Sequence, residues 1–349
     1  MSVIDAPALT SLARGGGCGC KLDPGVLDQI IAKTDALSAF PDLMIDASTR
    51  DDAAVYRLAP EMALVATTDF FAPIVDDPFQ FGRIAATNAL SDIYAMGARP
   101  IFTLALLGMP VGELPPETIK AVLDGGRSVA EAARAPVAGG HSIDAAEPFY
   151  GLVALGVAHP GKILANAGAQ PGDRLVLGKP LGVGVFSAAA KRGLLSEADY
   201  ATMIASTTRL NTPGVDIAEI EGVRAMTDVT GFGLAGHLSE MCRASDVAAR
   251  IEASAVPVFE GARRLAADGV RTGASGRNWA AVERHLADAP AWSTLQRDLF
   301  CDPQTSGGLL VACAPEAVDA VLAAFQAHGH EGAAPIGEIV EGAPQIVLA

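Results

Sequence analysis

Residues 51–97 read DDAAVYRLAPEMALVATTDFFAPIVDDPFQFGRIAATNALSDIYAMG, and this stretch decides the fold. Residues 53–58 and 63–68 are apolar, β-branched runs separated by a turn-like segment at Pro60, which predicts a hairpin. Residues 78–97 have apolar side chains at helical spacing and end in a glycine, so they predict a helix. Strands and helices mixed in this way predict a layered α/β or α+β structure.

The same mixture continues along the chain. The first half is predicted to continue with a strand at 101–107, a helix at 117–133 and a strand at 149–157. The second half is predicted to contain, in order, a strand at 174–177, helices at 185–192 and 201–210, a strand at 223–226, a helix at 234–243, strands at 247–252 and 309–312, a helix at 315–328, and strands at 336–340 and 345–348.

A domain boundary is expected at residues 160–171, which carry turn residues and little periodicity. We therefore expect a flexible, glycine-rich arm and lead-in at 1–48, an N-terminal domain at 49–160 and a C-terminal domain at 172–349. The chain has 349 residues, which is too many for one ordinary core.

The composition narrows the class of protein. The formal net charge is −15, whereas proteins that hold nucleic acid normally show a basic face, so we expect no nucleic-acid partner. A small polyanion could still bind where cations are concentrated or a metal is held. No apolar run approaches the ~18 residues of a membrane helix, and the chain does not open with a basic region followed by an apolar block. With five cysteines, we expect reduced thiols, no membrane attachment and a cytoplasmic location.

A cysteine flanked by glycines stands near the start of the chain, in GGGCGCK at residues 15–21. The glycines make Cys18 sterically open, and Lys21 could favour its thiolate, which is the nucleophilic form. We expect both Cys18 and Cys20 to be accessible, because three successive glycines supply no packing. The alternative is a mobile tail with incidental cysteines. A zinc site lacks matching ligands, and a Walker A loop lacks the glycine before Lys21.

Several aspartates stand at predicted strand ends. Asp51 and Asp52 precede a strand, while Asp69 and Asp228 follow one. Carboxylates at strand ends converge on clefts, and magnesium prefers oxygen ligands that it shares with phosphates. The alternative for any single aspartate is a turn or cap residue. Asp92 is different, because it lies in an apolar helical stretch where a charge needs a partner or a metal.

Residues 137–142 read VAGGHS, in which two glycines follow an apolar segment. Glycines in this position let backbone N–H groups approach an anion. A tight turn with a solvated His141 is the alternative.

Residues 231–236 read GFGLAG and match the dinucleotide-binding fingerprint. Glu252 even stands near the end of the next predicted strand. However, Asp228 lies between the strand and the first glycine, where it would repel a pyrophosphate. An NAD-linked oxidoreductase is therefore kept as a minor hypothesis.

Taken together, these segments resemble the selenophosphate synthase family, also called selenide, water dikinase, from one end of the chain to the other. The motifs that carry the resemblance are GCGCK (17–21), TRDDAAVY (49–56), TTDFF (67–71), FGRIAATN (81–88), AGGHSID (138–144), MTDVTGFG (226–233) and CDPQTSGG (301–308). Some members carry selenocysteine at the position that Cys18 occupies here.

The resemblance implies a fold shared with aminoimidazole-ribonucleotide synthetase, in which the N-terminal domains of two subunits pair into a β-barrel. It implies a homodimer that converts ATP, selenide and water into selenophosphate, AMP and phosphate. Magnesium is the implied cofactor, and a monovalent cation and a selenium-delivery protein are left open. An enzyme of the same ATP-binding fold with a different acceptor is the alternative, but that chemistry would not require Cys18 and Lys21.

The resemblance also implies the roles of particular residues. Cys18 and Lys21 are the implied catalytic pair, and Asp52, Asp92 and Asp228 are the implied metal ligands. The implied ATP contacts are Lys21, Thr49, Arg50, Asp51, Asp69, Asp92, Gly140, His141 and Ser142. A chain with this excess of acid can hold the phosphates of ATP only through bridging cations, which agrees with several aspartates and no Walker A lysine.

Overall fold

The computed structural model describes residues 7–13, 15–20, 40–46 and 50–349. Two mixed sheets with flanking helices organise these residues, one between residues 43 and 158 and the other between 174 and 348. The predicted mixed α/β arrangement with two sheet-and-helix units is confirmed. Neither sheet closes into a barrel within the described part of the single chain. None of the helices in those ranges has the length and apolarity that crossing a bilayer requires.

The first sheet has six strands in the order β1-β2-β3-β6-β4-β5. The elements of this half are, in chain order, β1 Leu43–Ile45, β2 Ala54–Ala59, β3 Met62–Phe71, α1 Pro78–Ala95, β4 Arg99–Met109, α2 Pro116–Ala132, β5 Val137–Asp144 and β6 Phe149–Ala158. Strands β4 and β5 are parallel, and the other neighbours are antiparallel. Strand β5 lies at one edge of the sheet, and every residue after Val137 in it is exposed.

Helix α1 is the central helix of the molecule. It begins where the Asp77 side chain accepts a hydrogen bond from the backbone N–H of Gln80, with Pro78 in the first turn. It packs against β3, β6 and α2 of its own half and also contacts the second half, so it is buried on nearly every side. A helix in this position is apolar all round except where a polar side chain has a partner. The polar residues of α1 therefore mark a site inside the protein.

The second sheet has the order β12-β9-β11-β7-β10-β8. The elements of this half are, in chain order, β7 Arg174–Leu177, α3 Val183–Lys191, α4 Glu197–Thr207, α5 Pro213–Ile217, β8 Val223–Asp228, α6 Gly233–Ser245, β9 Ala248–Ile251, α7 Glu260–Ala267, α8 Gly273–Val282, α9 Thr294–Phe300, β10 Leu309–Cys313, α10 Val318–Ala327, β11 Ala334–Val340 and β12 Ile346–Leu348.

The register of β10 brings three segments of this half together. Strands β7 and β8 both run antiparallel to β10, which lies between them. The first residues of β10 pair with the last residues of its neighbours, Leu310 with Leu177 and Leu309 with Asp228. The C-terminal ends of β7 and β8 therefore lie next to the residues that precede β10, at the same end of these three strands.

Strand β5 was not predicted, because residues 137–142 were interpreted as a glycine-rich anion loop or turn. Gly140 is instead required by close packing between strands. A Cβ atom added to Gly140 would lie 2.1 Å from the carbonyl oxygen of Ala105 on β4. Periodicity does not reveal a strand whose central side chains are hydrogen atoms. The predicted hairpin of β2 and β3 and the predicted helix α1 are confirmed.

The expectation that the glycine-rich segment packs on nothing is wrong for the residues that the structure describes. Leu9 and Cys18 are each at most 2% exposed. The backbone N–H of Gly17 donates to the carbonyl of Ala72 at 2.8 Å. Gly17 has a φ of +56°, and an added Cβ would lie 2.2 Å from the Thr305 hydroxyl. Glycine is needed here because another part of the chain lies so close, not because the segment is loose.

Gly82→Ala is expected to destabilise the protein by about 2–3 kcal/mol, because the space for a methyl group is already occupied. An alanine Cβ would lie 1.9 Å from the backbone carbonyl of Val122, where α1 and α2 cross. Backbone atoms cannot turn away as a side chain can, so the two helices would have to separate. The measurement is the urea midpoint of the purified variant.

The matched control is Gly276→Ala in α8, where an added Cβ meets nothing within 4 Å. This variant is expected to gain about 0.5–1 kcal/mol, because alanine loses less backbone entropy than glycine when a helix forms. Equal urea midpoints for the two variants would contradict the proposed close contact of α1 with α2.

Candidate functional site

Cys18 is held inside the protein by two hydrogen bonds. It lies in the short 3₁₀ helix Gly17–Cys20 and is 1% exposed. Its backbone N–H donates to the Thr305 hydroxyl at 3.1 Å, and its thiol donates to the Asn88 side-chain oxygen at 3.1 Å. The prediction that the Cys18 side chain is accessible is therefore wrong. Residues of the turn that precedes β10 and residues of α1 enclose it.

Asn88 connects this thiol to a carboxylate. Its side-chain oxygen accepts from the Cys18 thiol and also from the backbone N–H of Ser306, at 2.7 Å. Its amide nitrogen donates to Asp69 at 2.6 Å. Asn88 is fully buried, so each of these bonds is shielded from water. The result is a continuous chain of hydrogen bonds from Cys18 through Asn88 to Asp69.

The three aspartates predicted as metal ligands each accept a hydrogen bond from a hydroxyl group. Asp92 lies one turn after Asn88 on α1 and accepts from the Thr67 hydroxyl at 2.6 Å. Asp52, just before β2, accepts from the Thr227 hydroxyl at 3.0 Å, and Asp228, at the end of β8, accepts from the Ser91 hydroxyl. These hydroxyl groups come from β3, β8 and α1, so the carboxylates lie where the two halves of the chain meet.

The charges of these aspartates act on one another. Burial raises the pKa of Asp52 well above its ordinary value, and the neighbouring carboxylates of Asp228 and Asp92 raise it further. The Thr227 hydroxyl opposes that rise. Within the described ranges, no group of three or more Asp, Glu, His or Cys side chains has an arrangement that could hold a metal ion. The donor chemistry nevertheless fits a hard divalent cation, because buried carboxylates that repel one another are stabilised by a shared positive charge.

Lys179 is a buried charged group that no motif in the sequence indicates. It follows β7 and is 4% exposed, and its ammonium group donates to the carbonyls of Arg209 and Ser306, each at 2.8 Å. Burial lowers its pKa to about 7, while the charge of Asp228 acts in the opposite direction. The signal in the sequence is its position two residues after the apolar strand sequence RLVL, because a lysine there either turns outward or needs internal partners.

The free energy of unfolding is expected to rise with pH between about 7 and 10.5 because of Lys179. Its pKa is about 7 in the folded protein and near 10.5 in an unfolded chain. In that interval the unfolded chain binds more protons, so raising the pH favours the folded state by at most about 1.4 kcal/mol per pH unit. Lys179→Met should remove this contribution, as urea unfolding of both proteins across the interval would reveal. Parallel pH profiles for the two proteins would contradict the assignment.

The remaining predicted site residues are distributed as follows. Lys21 and Thr49 lie outside the described residues. Asp51 accepts a hydrogen bond from the backbone N–H of Asn166 at 2.6 Å, so it joins the segment between the two halves. Arg50 approaches Glu240 on α6, with 3.7 Å between nitrogen and oxygen.

Gly140, His141 and Ser142 lie on the exposed edge strand β5. In the sheet order, β6 and β4 separate β5 from β3, which carries Asp69. Three strand spacings amount to ~14 Å, so a single chain does not bring these residues next to Asp69.

The fingerprint-like segment at 231–236 does not belong to a parallel dinucleotide-binding sheet. Strand β8 pairs antiparallel with β10, and the next strand β9 lies on the far side of the sheet. Gly233 has a φ of +72°, and an added Cβ would lie 2.8 Å from the carbonyl oxygen of Phe300. Gly233 therefore serves a close contact within the protein, and the segment lacks the βαβ unit that the oxidoreductase hypothesis requires.

Matches to two family models, one over each half of the chain, place it in the class of AIR synthase related proteins. Residues 50–158 match the N-terminal domain of that class, and residues 170–348 match its C-terminal domain. The solved structure of hydrogenase maturation protein HypE in complex with ATP superposes with a TM-score of 0.66 at 21% identity, covering 98% of this chain and 94% of that one. At that level of identity the likeness concerns the fold alone.

Two curated relatives match over nearly their full length. The selenide, water dikinase of Burkholderia pseudomallei (strain K96243) is 60% identical, with 98% of this chain and 96% of the relative covered. The selenide, water dikinase of Burkholderia ambifaria (strain MC40-6) is 58% identical, with 98% and 97% covered. The chain belongs to the selenide, water dikinase family.

Proposed function

We propose that the protein makes selenophosphate from selenide, ATP and water and releases AMP and phosphate. The observation that carries the proposal is the hydrogen-bonded chain from the Cys18 thiol through Asn88 to Asp69, together with the mutually repelling carboxylates of Asp52, Asp92 and Asp228. A thiol suits selenium chemistry, and carboxylates suit the cations that accompany ATP. The two relatives named selenide, water dikinase support the same reaction.

Cys18 binds and orients selenide in this proposal. Its thiol is fixed by Asn88, and its backbone is fixed by the Thr305 hydroxyl, so the sulfur atom has a defined position before substrate arrives. Its burial keeps water away from an activated phosphoryl group, which water would otherwise hydrolyse. Lys21, whose position the structure does not describe, is proposed as the second catalytic residue on the resemblance of its motif.

Asp52, Asp92 and Asp228 are proposed to hold magnesium. Bound magnesium would neutralise the phosphate charges of ATP. The raised pKa of Asp52 supports this role, because burial and the charges of Asp228 and Asp92 leave the cluster with excess negative charge. A monovalent cation could share in this neutralisation. Further nucleotide contacts are proposed for Asp92 itself and for Lys21, Thr49, Arg50, Asp51 and Asp69.

A homodimer through the N-terminal sheet is the proposed assembly. The face of this sheet that is turned away from α1 carries exposed apolar side chains on several strands, among them Leu58 on β2, Met62 and Phe70 on β3, and Ile143 on β5. Two such faces would bury each other, and pairing of the strands would close a barrel. Gly140, His141 and Ser142 on the exposed strand β5 would then serve the nucleotide site of the second copy, which is why they lie far from Asp69 in their own chain.

The proposed division of the chain is an arm and lead-in at 1–48, an ATP-binding and dimerisation domain at 49–160 and a C-terminal domain at 172–349. A cytoplasmic location is proposed because the buried Cys242, Cys301 and Cys313 are free thiols rather than disulfides in the described structure.

The test is AMP formation from ATP with and without selenide, under anaerobic conditions, with the selenophosphate product followed by phosphorus NMR. We expect AMP and selenophosphate in equal amounts and only when selenide is present. Chelation of magnesium with EDTA should stop both, and added magnesium should restore them. ATP breakdown with no dependence on selenide would instead favour an enzyme of the same fold with another acceptor.

A further inference from the structure

A cavity of about 220 Å³ lies between α6 and α8 in the C-terminal half. We call it the basic pocket and define it by Arg50, Ser239, Arg243, Arg277, Arg284 and His285 in its lining. Its residues come from the segment before β2, from α6 and from the region of α8. Only Arg50 also belongs to the proposed nucleotide contacts.

The charge of the basic pocket is largely unbalanced. Within the described ranges, Arg243, Arg277 and Arg284 have no carboxylate within ion-pair distance. Glu240, which also lines the pocket, is shared by Arg50 and His237. The whole chain carries a net charge of −15, so acidic side chains to pair with these arginines are plentiful elsewhere on the protein. Concentrating several guanidinium groups around one cavity costs electrostatic free energy, which a bound anion would offset.

The environment of His285 shows that arginine side chains lie close together in the pocket. Partial burial lowers the pKa of His285, and the charges of Arg284 and Arg243 lower it further. The Arg284 side chain donates a hydrogen bond to the His285 ring at 3.1 Å. The arginines therefore supply the positive charge of the pocket, against the one carboxylate of Glu240.

Ser239 adds a hydrogen-bonding group that faces this charge. It lines the pocket and is 5% exposed. Its hydroxyl is a donor that can bond to a ligand oxygen in the pocket. Guanidinium groups and a hydroxyl together are the donors that proteins use to bind phosphate oxygens.

The size of the cavity limits the ligand. Its volume of about 220 Å³ is below the ~300 Å³ at which pockets for drug-sized molecules begin. We propose that the basic pocket binds a small phosphate-bearing anion, either inorganic phosphate or the phosphate group of a nucleoside monophosphate. Both are products of the proposed reaction, but binding at this pocket does not require that reaction to be correct.

The pocket also touches the segment that contains the thiol. Arg277 donates a hydrogen bond to the carbonyl of Gly19 at 3.2 Å, next to Cys18. An anion that draws the Arg277 guanidinium toward itself competes with this bond. Occupancy of the pocket is therefore coupled to how tightly residues 17–20 are held.

The experiment measures binding of inorganic phosphate and of AMP to the full-length protein by isothermal titration calorimetry, without magnesium, ATP or selenide. The test variant is Arg243→Gln/Arg284→Gln, which removes two positive charges from the pocket. The matched control is Lys191→Gln/Arg263→Gln, which removes two exposed positive charges outside it. Each lost guanidinium contact should weaken binding about tenfold.

We expect wild type and control to bind at least one of the two anions and the test variant to bind it about a hundredfold more weakly. Phosphate binding would identify the free ion as sufficient, whereas binding of AMP alone would identify a nucleoside monophosphate as the ligand. Two outcomes overturn the proposal: neither anion binds the wild type at millimolar concentration, or the test variant and the control bind equally well. Because no step of the reaction is measured, either failure is separate from a failure of the proposed function.

Discussion

Cys18→Ser is expected to abolish selenide-dependent AMP formation, with a loss of at least about a thousandfold. Serine is nearly the same size as cysteine, and its hydroxyl can donate to Asn88 as the thiol does. The hydroxyl stays protonated at neutral pH, however, and does not supply the soft sulfur that selenide chemistry needs. The measurement is AMP formed from ATP with and without selenide, for wild type and variant under the same conditions.

Cys20→Ser is the matched control, since it makes the same chemical change two residues away. We expect it to keep most of the activity. The melting temperatures of both variants should be close to that of the wild type. In Cys18→Ser, the serine hydroxyl can replace the thiol as the hydrogen-bond donor to Asn88. A fully active Cys18→Ser protein would eliminate Cys18 as the catalytic thiol. An inactive but stable Cys20→Ser protein would move that role to Cys20.

Asp228→Asn is expected to reduce AMP formation at least about a hundredfold while leaving the fold intact. The asparagine oxygen can still accept from the Ser91 hydroxyl, so the local hydrogen bond survives. The negative charge is lost, and with it one of the charges that raises the pKa of Asp52. Magnesium would then bind a weaker set of ligands. The readouts are AMP formation at increasing magnesium and the thermal melt.

The control for this change is Asp268→Asn, which removes an exposed carboxylate beyond the end of α7. It should leave activity and stability close to wild type. Excess magnesium is expected to recover part of the Asp228→Asn activity, because a weakened site fills at higher concentration. If Asp228→Asn retained wild-type activity at low magnesium, the role of Asp228 as a metal ligand would be wrong.

Residues 51–97 determine their own local structure. The hairpin and the helix α1 follow from apolar periodicity, from a proline-containing turn and from a helix cap, which all act between residues close in the chain. The candidate site residues also stand out individually, because a charge such as Asp92 in an apolar helix is rare without a purpose. The family resemblance rests on the same local motifs.

The tertiary structure alone decided which of these residues meet. Asn88 joins Cys18, Asp69 and Ser306, and the bond to Ser306 crosses 218 positions of the chain. Lys179 reaches Ser306, in the turn before β10, because β7 and β8 flank β10. No local sequence pattern encodes that strand pairing. The basic pocket likewise collects arginines from positions 50, 243, 277 and 284. Periodicity depends on neighbours within one helix turn or one strand repeat, whereas these contacts depend on how whole elements pack, and only the folded chain brings them within reach of one another.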